Sequence, residues 1–291
     1  MTDLRSNLRS KVFVLLYIIL LIVLFAWGTR YRSSWLYGGR MWFDGAGNLQ
    51  VPYNLVVHGK YGSNPTGKLS GQRPSNIKEF NPITTTGPAV LLPIAGLYSL
   101  KQSPIVRSGR QFVFWCLVFC MLFMTGYVVY RTRNPVPGIL MAYLISRFPN
   151  IKVWNHVSNE VLGEAPGVAY FCLGTAFVYC IPHKRLILLF VGGLAFGCAI
   201  QSKLVMALAV FGAAIHWLAE RFLSRSKIEL KEIAVVASGI LLPTAAFELW
   251  QFLSVGSAQY LELKASLLRA FGGLSGGAVS TSSLGSSDWW V

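Results

Sequence analysis

With 291 residues, 54% hydrophobic and only 13% charged, and a mean hydropathy of +0.51, the chain lacks the polar surface that a soluble domain of this size exposes. Most of it must therefore face lipid or pack helix on helix. The 26 Lys and Arg against 11 Asp and Glu give +15; these cations are scattered between apolar runs, which excludes a nucleic-acid stripe and fits cytoplasmic flanks of membrane spans, with a remainder for lipid headgroups or phosphates.

A short basic stretch (Arg5, Arg9, Lys11) precedes an unbroken apolar run over 12–27. A cleaved signal peptide competes for this pattern. The run is long, however, and Thr29-Arg30-Tyr31-Arg32 follows Trp27 with no small-residue cleavage site. It is read as a retained first span with its N-terminus in the cytoplasm. The polar loop that follows, about 28–82, is then extracytoplasmic. Arg30, Arg32 and Arg40 sit awkwardly there, although long loops obey the positive-inside rule weakly.

Residues 83–100 give a second span, and the basic turn Lys101, Arg107 and Arg110 suits the cytoplasm. Residues 111–130 give a third, which delivers Arg131 and Arg133 awkwardly to the outside. The apolar piece 138–148 has about half the length needed to cross a bilayer. It is expected to be a short or re-entrant helix that leaves 149–163 on the outer side. Residues 168–181 return inward to Pro182-His183-Lys184-Arg185, 186–200 go out, 204–218 come back to Arg221, Arg225 and Lys227, and 233–253 go out again.

The expected fold is all-α: a polytopic membrane helix bundle, multi-pass in the cell (inner) membrane, with a large first extracytoplasmic loop. Residues 1–253 form the multi-span module, and 254–291 read as a flexible Gly/Ser-rich tail. Its abrupt end at Asp288-Trp289-Trp290-Val291 fits a truncated gene product or an excised fragment. Five cysteines (Cys116, Cys120, Cys172, Cys180, Cys198) lie within apolar runs and read as small buried hydrophobes, not as a disulfide framework.

The carboxylates expected on the outer face are Asp44, Glu79, Glu160 and Glu164, with Glu248 near the outer end of the last span. After Asp44, Pro52 suits a first helical turn, Leu55, Val56 and Val57 give an apolar side, and Gly59 is placed as a C-cap. Asp44 is thus expected just ahead of a short interfacial helix, with Trp35, Tyr37, Trp42 and Phe43 as aromatic anchors. A carboxylate fixed there can take a proton from an acceptor hydroxyl; an N-cap or turn aspartate would give the same pattern.

Glu160 and Glu164 are four apart and precede Ala165-Pro166, at the mouth of a span. A dipole-stabilised helix start explains at least one of them equally well. His156 nearby is either a base or incidental. Lys203 follows the run that contains Gly192, Gly193 and Gly197, where glycines let helices approach closely. It could hold a lipid phosphate, or snorkel to headgroups. Neither a P-loop, a dinucleotide fingerprint nor metal-ligand spacing is present. No cofactor is expected from motifs, and a need for a divalent ion is left open.

Four pieces together resemble the GT-C superfamily of polyprenyl-phosphate-dependent glycosyltransferases, the group of the protein mannosyltransferases and aminoarabinose transferases. They are Asp44 with His58-Gly59-Lys60-Tyr61; Phe80-Asn81-Pro82-Ile83-Thr84-Thr85-Thr86-Gly87-Pro88 running into Ala89-Val90-Leu91-Leu92-Pro93; Asn159-Glu160 with Gly163-Glu164-Ala165-Pro166; and the Gly-rich span ending in Lys203. The resemblance covers most of 12–253. It implies an extracytoplasmic active site that moves a sugar from a polyprenyl-phosphate donor, held among membrane lipids, to a lipid, glycan or protein acceptor. In that scheme Asp44 is the general base, and Glu164 or Glu160 orients the acceptor. Lys203, with Arg73 or Lys78, stabilises the phosphate leaving group. The competing class is a lipid-linked-sugar flippase or transporter, which should place charges or broken helices near the midplane.

Overall fold

The computed structural model describes residues 19, 23, 43–63, 74–80, 86–101, 104–132, 134, 136–140, 143, 161, 163–180, 186–223 and 229–275. These are mostly helical. Three helices, Ile105–Tyr130, Met206–Leu223 and Leu230–Val255, are long and apolar enough to cross a membrane. The first apolar run, the piece 138–148 and the last sixteen residues lie wholly or largely outside the described residues.

α1 (Phe43–His58) occupies the middle of the polar loop. It starts earlier than Pro52 predicts: the proline lies inside it, so Asp44 falls in the first turn and not ahead of the helix. Proline has no N–H, so the ladder loses its bond to the Asn48 carbonyl there. Gly59 ends the helix as expected, with φ +67° and its N–H on the Leu55 carbonyl at 3.1 Å.

The chain next forms a two-residue antiparallel pair, β1 (Gly62–Ser63) with β2 (Lys78–Glu79), in register Gly62↔Glu79 and Ser63↔Lys78. This is a small departure from an all-α chain. Phe80 follows at φ +51°, a strained value for a bulky residue. Two contacts hold it there: its N–H bonds the Tyr61 carbonyl at 2.8 Å, and its ring joins Tyr61, Phe247 and Trp250 in a cluster with centroids 5.0–5.9 Å apart.

Further helices among the described residues are α2 (Pro88–Lys101), α3 (Ile105–Thr132), α4 (Glu164–Thr175, extended by the π-turn Ala176–Cys180), α5 (Leu186–Ser202), α6 (Met206–Leu223), α7 (Leu230–Val255) and α8 (Ser257–Ser275). Their directions follow from paired residues. α5 runs antiparallel to α4, since Gly163 meets Ser202 and Gly174 meets Phe196. α7 runs parallel to α5: Gly193 faces Val236, Gly197 faces Ile240, and Gln201 Nε2 donates to Thr244 Oγ1 at 3.1 Å. Cβ atoms added at Gly193 and Gly197 would lie 2.3 and 2.4 Å from those facing carbonyl oxygens, so the glycines set this close approach.

α3 runs parallel to α4, because Val113 and Leu117 pack on Ala165 while Cys120 meets Cys172 farther along. Two expectations are corrected by this. α2 does not carry the chain to the opposite end of the bundle: Gly87 before it bonds Ser202, and Ile105 after it packs with Val161. Arg107 and Arg110 therefore belong to the first turns of α3, at the end where Val161 lies, and not to a turn at the other end. Farther along, the two helices still run side by side, with Tyr127 of α3 close to Tyr179 of the π-turn. A short apolar helix that doubles back on one side reads, in sequence, like a crossing.

Residues 257–275, read as part of a flexible tail, form α8 instead. Gly256 at φ +78° reverses the chain. Leu263 then packs against the aromatic cluster, and Tyr260 and Lys264 grip Glu248 from 2.8 and 2.6 Å.

Candidate functional site

The site is assembled at the end of the bundle where α4 begins and α5 ends. α1 supplies Asn48, only 2% exposed. Its Nδ2 donates to Thr86 Oγ1 and to the Val161 carbonyl, both at 2.8 Å, so both amide protons are used. Two glycines bring the other segments in. A Cβ at Gly87 would lie 1.6 Å from the Gln201 carbonyl oxygen, and one at Gly163 would lie 2.0 Å from that of Ser202. The Gly87 N–H bonds the Ser202 carbonyl at 3.3 Å.

Gly163 is followed by Glu164, the first residue of α4, and Ser202 by Lys203, so this approach sets the two charges side by side. Lys203 Nζ lies 2.6 Å from Glu164 Oε1. Each charge is also favoured by its own helix dipole, the carboxylate at the N-terminus of α4 and the ammonium after the C-terminus of α5. The pair remains reachable, with side chains 27% and 36% exposed. Glu164 Oε2 is a buried atom that accepts no hydrogen bond among the described residues. The arrangement sets a partly exposed cation beside a carboxylate whose second oxygen has no donor among the described residues.

Of the residues the sequence singles out, Glu164 and Lys203 are brought into contact, and Asp44 stands one turn before Asn48 in α1. Lys78 is exposed on β2, and its neighbour Glu79 lies 3.6 Å from Lys60. Glu248 is held by Lys264 and Tyr260 and serves the α7–α8 turn. Glu160, His156 and Arg73 lie outside the described residues.

Sequence reasoning misses Asn48, the specific part of Thr86, and the two glycines that permit the approach. One signal is available in the sequence: Asn48, Gln50 and Asn54 interrupt an apolar helix, and all three are buried. Buried polar side chains of this kind are held by specific partners. Ser108 and Arg110 of α3 are buried at the same end.

Compared with family models, with curated proteins and with solved structures, the chain matches none.

Proposed function

We propose that the chain is a membrane glycosyltransferase of GT-C type, moving a sugar from a polyprenyl-phosphate donor to a lipid, glycan or protein acceptor on the extracytoplasmic face of the cell (inner) membrane. One observation carries this reading: three of the four separated sequence pieces that resemble that superfamily are in contact at one end of the bundle, and α1, the helix that carries Asp44, is bonded to the same end through Asn48. Asn48 reaches Thr86 and Val161, Gly87 reaches Ser202, and Glu164 reaches Lys203.

In the proposed reaction the acceptor oxygen bonds to the anomeric carbon while the bond from that carbon to the phosphate oxygen breaks, its electron pair leaving with the phosphate. Asp44 takes the acceptor proton as general base. Glu164, or Glu160, orients the acceptor hydroxyl. Lys203 stabilises the charge that develops on the departing phosphate, with Arg73 or Lys78 as looser candidates for that role. The ion pair keeps the Lys203 ammonium in position before the donor arrives, so little reorganisation is needed during the transfer.

The test is sugar transfer from a radiolabelled polyprenyl-phosphate sugar in membranes that carry the wild type or Asp44→Asn. Loss of transfer in the variant is expected. Equal transfer by both removes Asp44 as the base, and flux of labelled lipid without a new glycosidic bond favours a flippase or transporter.

A further inference from the structure

We infer that Asn48 is the positioning residue of this site: by clamping α1 to the Thr86 and Val161 segments, it fixes the helical turn that carries Asp44 relative to the Glu164–Lys203 pair. The inference rests on reading Asp44 as the base. It does not make Asn48 a catalytic residue, since both of its amide protons are already committed to protein acceptors.

Three features carry it. The bonds from Asn48 are long-range, reaching 38 and 113 residues along the chain, whereas Asn54 in the same helix donates to the Gly62 carbonyl only eight residues away. A bond across eight residues shapes a local turn. Bonds across 38 and 113 residues fix one segment against two others. Second, all parties are sealed from water: Asn48, Thr86 and Val161 are 2%, 1% and 0% exposed. No solvent replaces a lost donor, and the stranded acceptors would pull the segments apart or admit water. Third, Pro52 deletes the backbone bond that would have reached the Asn48 carbonyl. The first turns of α1 are thereby loosened from the rest of the helix at the residue whose side chain is clamped. The side chain restores from outside a restraint that the helix lacks inside.

Asn48→Asp tests this with little change of shape, because the carboxylate has no proton for the Val161 carbonyl and is repelled by it, even where the Thr86 hydroxyl turns to donate to the new group. Transfer should fall about a hundredfold in kcat, with the donor KM held within about twofold, the pattern of a displaced catalytic group. In an Asp44→Asn background the same change should cost less than about threefold, because the group being positioned is already gone. Full additivity of the two losses would overturn the inference. Thr86→Val should reproduce part of the defect and Thr86→Ser should restore it, since serine keeps the acceptor oxygen.

A second measurement does not depend on activity. In a chain whose cysteines are replaced except Cys172, Asp44→Cys is labelled with a maleimide, with and without Asn48→Ala. Cys172, 2% exposed, reports general unfolding. Labelling at position 44 should accelerate at least about tenfold while Cys172 stays protected, the mark of a local opening. An unchanged rate at position 44, or equal acceleration at both positions, overturns the clamp. Wild-type membranes that transfer no sugar would sink the glycosyltransferase reading alone, and the labelling rates would still decide the clamp.

Discussion

Lys203 and Glu164 face each other at 2.6 Å across the junction of two antiparallel helices, one closing α5 and the other opening α4. Two neighbouring glycines, Gly87 and Gly163, have no room for a side chain there, and Ser202 accepts from the Gly87 N–H. The pair is therefore built by backbone approach and not by the reach of long side chains across a gap. Its partial exposure, 27% and 36%, places it among ion pairs that stabilise a fold weakly.

That weakness gives the first prediction. Lys203→Met should change stability by about 1 kcal/mol or less, because a half-exposed pair contributes little. The midpoint of thermal unfolding in detergent should move by no more than about 4 °C. Sugar transfer should fall about 100- to 1000-fold, the usual effect of removing a group that stabilises developing negative charge. Initial rates and thermal unfolding on the same preparation separate the two effects. A drop in stability that accounts for the lost rate would reduce Lys203 to a structural residue.

The helix interface gives the second. Gly193 and Gly197 bring α5 onto α7, with Val236 and Ile240 carbonyl oxygens where their Cβ atoms would be. Gly193→Val must push backbone against backbone, and should lower stability by about 1–3 kcal/mol or more. Gly212 in α6 has nothing within 4 Å of a Cβ. Gly212→Ala should be neutral or stabilise by up to about 1 kcal/mol, since alanine is the better helix former. Thermal unfolding of the two variants side by side checks both signs.

How much of this was legible beforehand depends on the kind of signal. Glu164 and Lys203 could be singled out because each ends or begins an apolar run, where a charge is conspicuous, and Gly59 because a glycine after an apolar face ends helices. Direction was harder to read. The run before Lys101 looked like a crossing, yet Gly87 and Ile105 show that α2 begins and ends near the same end of the bundle. Hydropathy reports that a segment is buried in something apolar, and a helix buried among other helices looks the same as one in lipid. The start of α1 differs from the expectation for a related reason: Pro52 favours a first turn, but tertiary contacts at Asn48 and Leu49 hold the helix together ahead of it. Asn48 could be noticed as a polar break in an apolar helix, but its partners are set by long-range folding that no local pattern encodes.

Tyr61 gives a prediction in pH. Burial pushes its hydroxyl well above the ordinary value of 10.0. In the unfolded chain the phenol ionises near that ordinary value, while in the folded chain it stays protonated. Above pH 10 the folded state therefore binds more protons, and stability falls as pH rises, by up to about 1.4 kcal/mol per pH unit for this one group. Below pH 10 both states hold the proton, and the group contributes no slope. Tyr61→Phe keeps the ring that packs on Phe80, Phe247 and Trp250 and removes the ionisation. It should flatten the alkaline loss of stability in unfolding curves taken between about pH 9 and 11. An unchanged slope would assign the loss to other groups.

The opposite end of the bundle supplies the last prediction. Arg221, in the last turn of α6, meets Glu232, in the first turn of α7, at 3.1 Å, with side chains only 13% and 8% exposed. The guanidinium also lies 5.5 Å from the centroid of the Trp217 ring. Removing one partner strands a buried charge, so Arg221→Met should destabilise by about 3–5 kcal/mol. Removing both, as Arg221→Met with Glu232→Leu, leaves neither charge of the pair buried alone and should recover most of that loss, because paired buried charges are often no more stable than well-packed apolar residues. The double-mutant cycle in detergent unfolding measures the coupling directly. Since this pair and the Glu164–Lys203 pair lie at opposite ends of α6, the recovered double variant should transfer sugar within about twofold of the wild type, as expected for distant independent sites. A double variant that unfolds as readily as Arg221→Met would show that the ion pair is needed as such, and a stable one that no longer transfers would couple the two ends of the bundle.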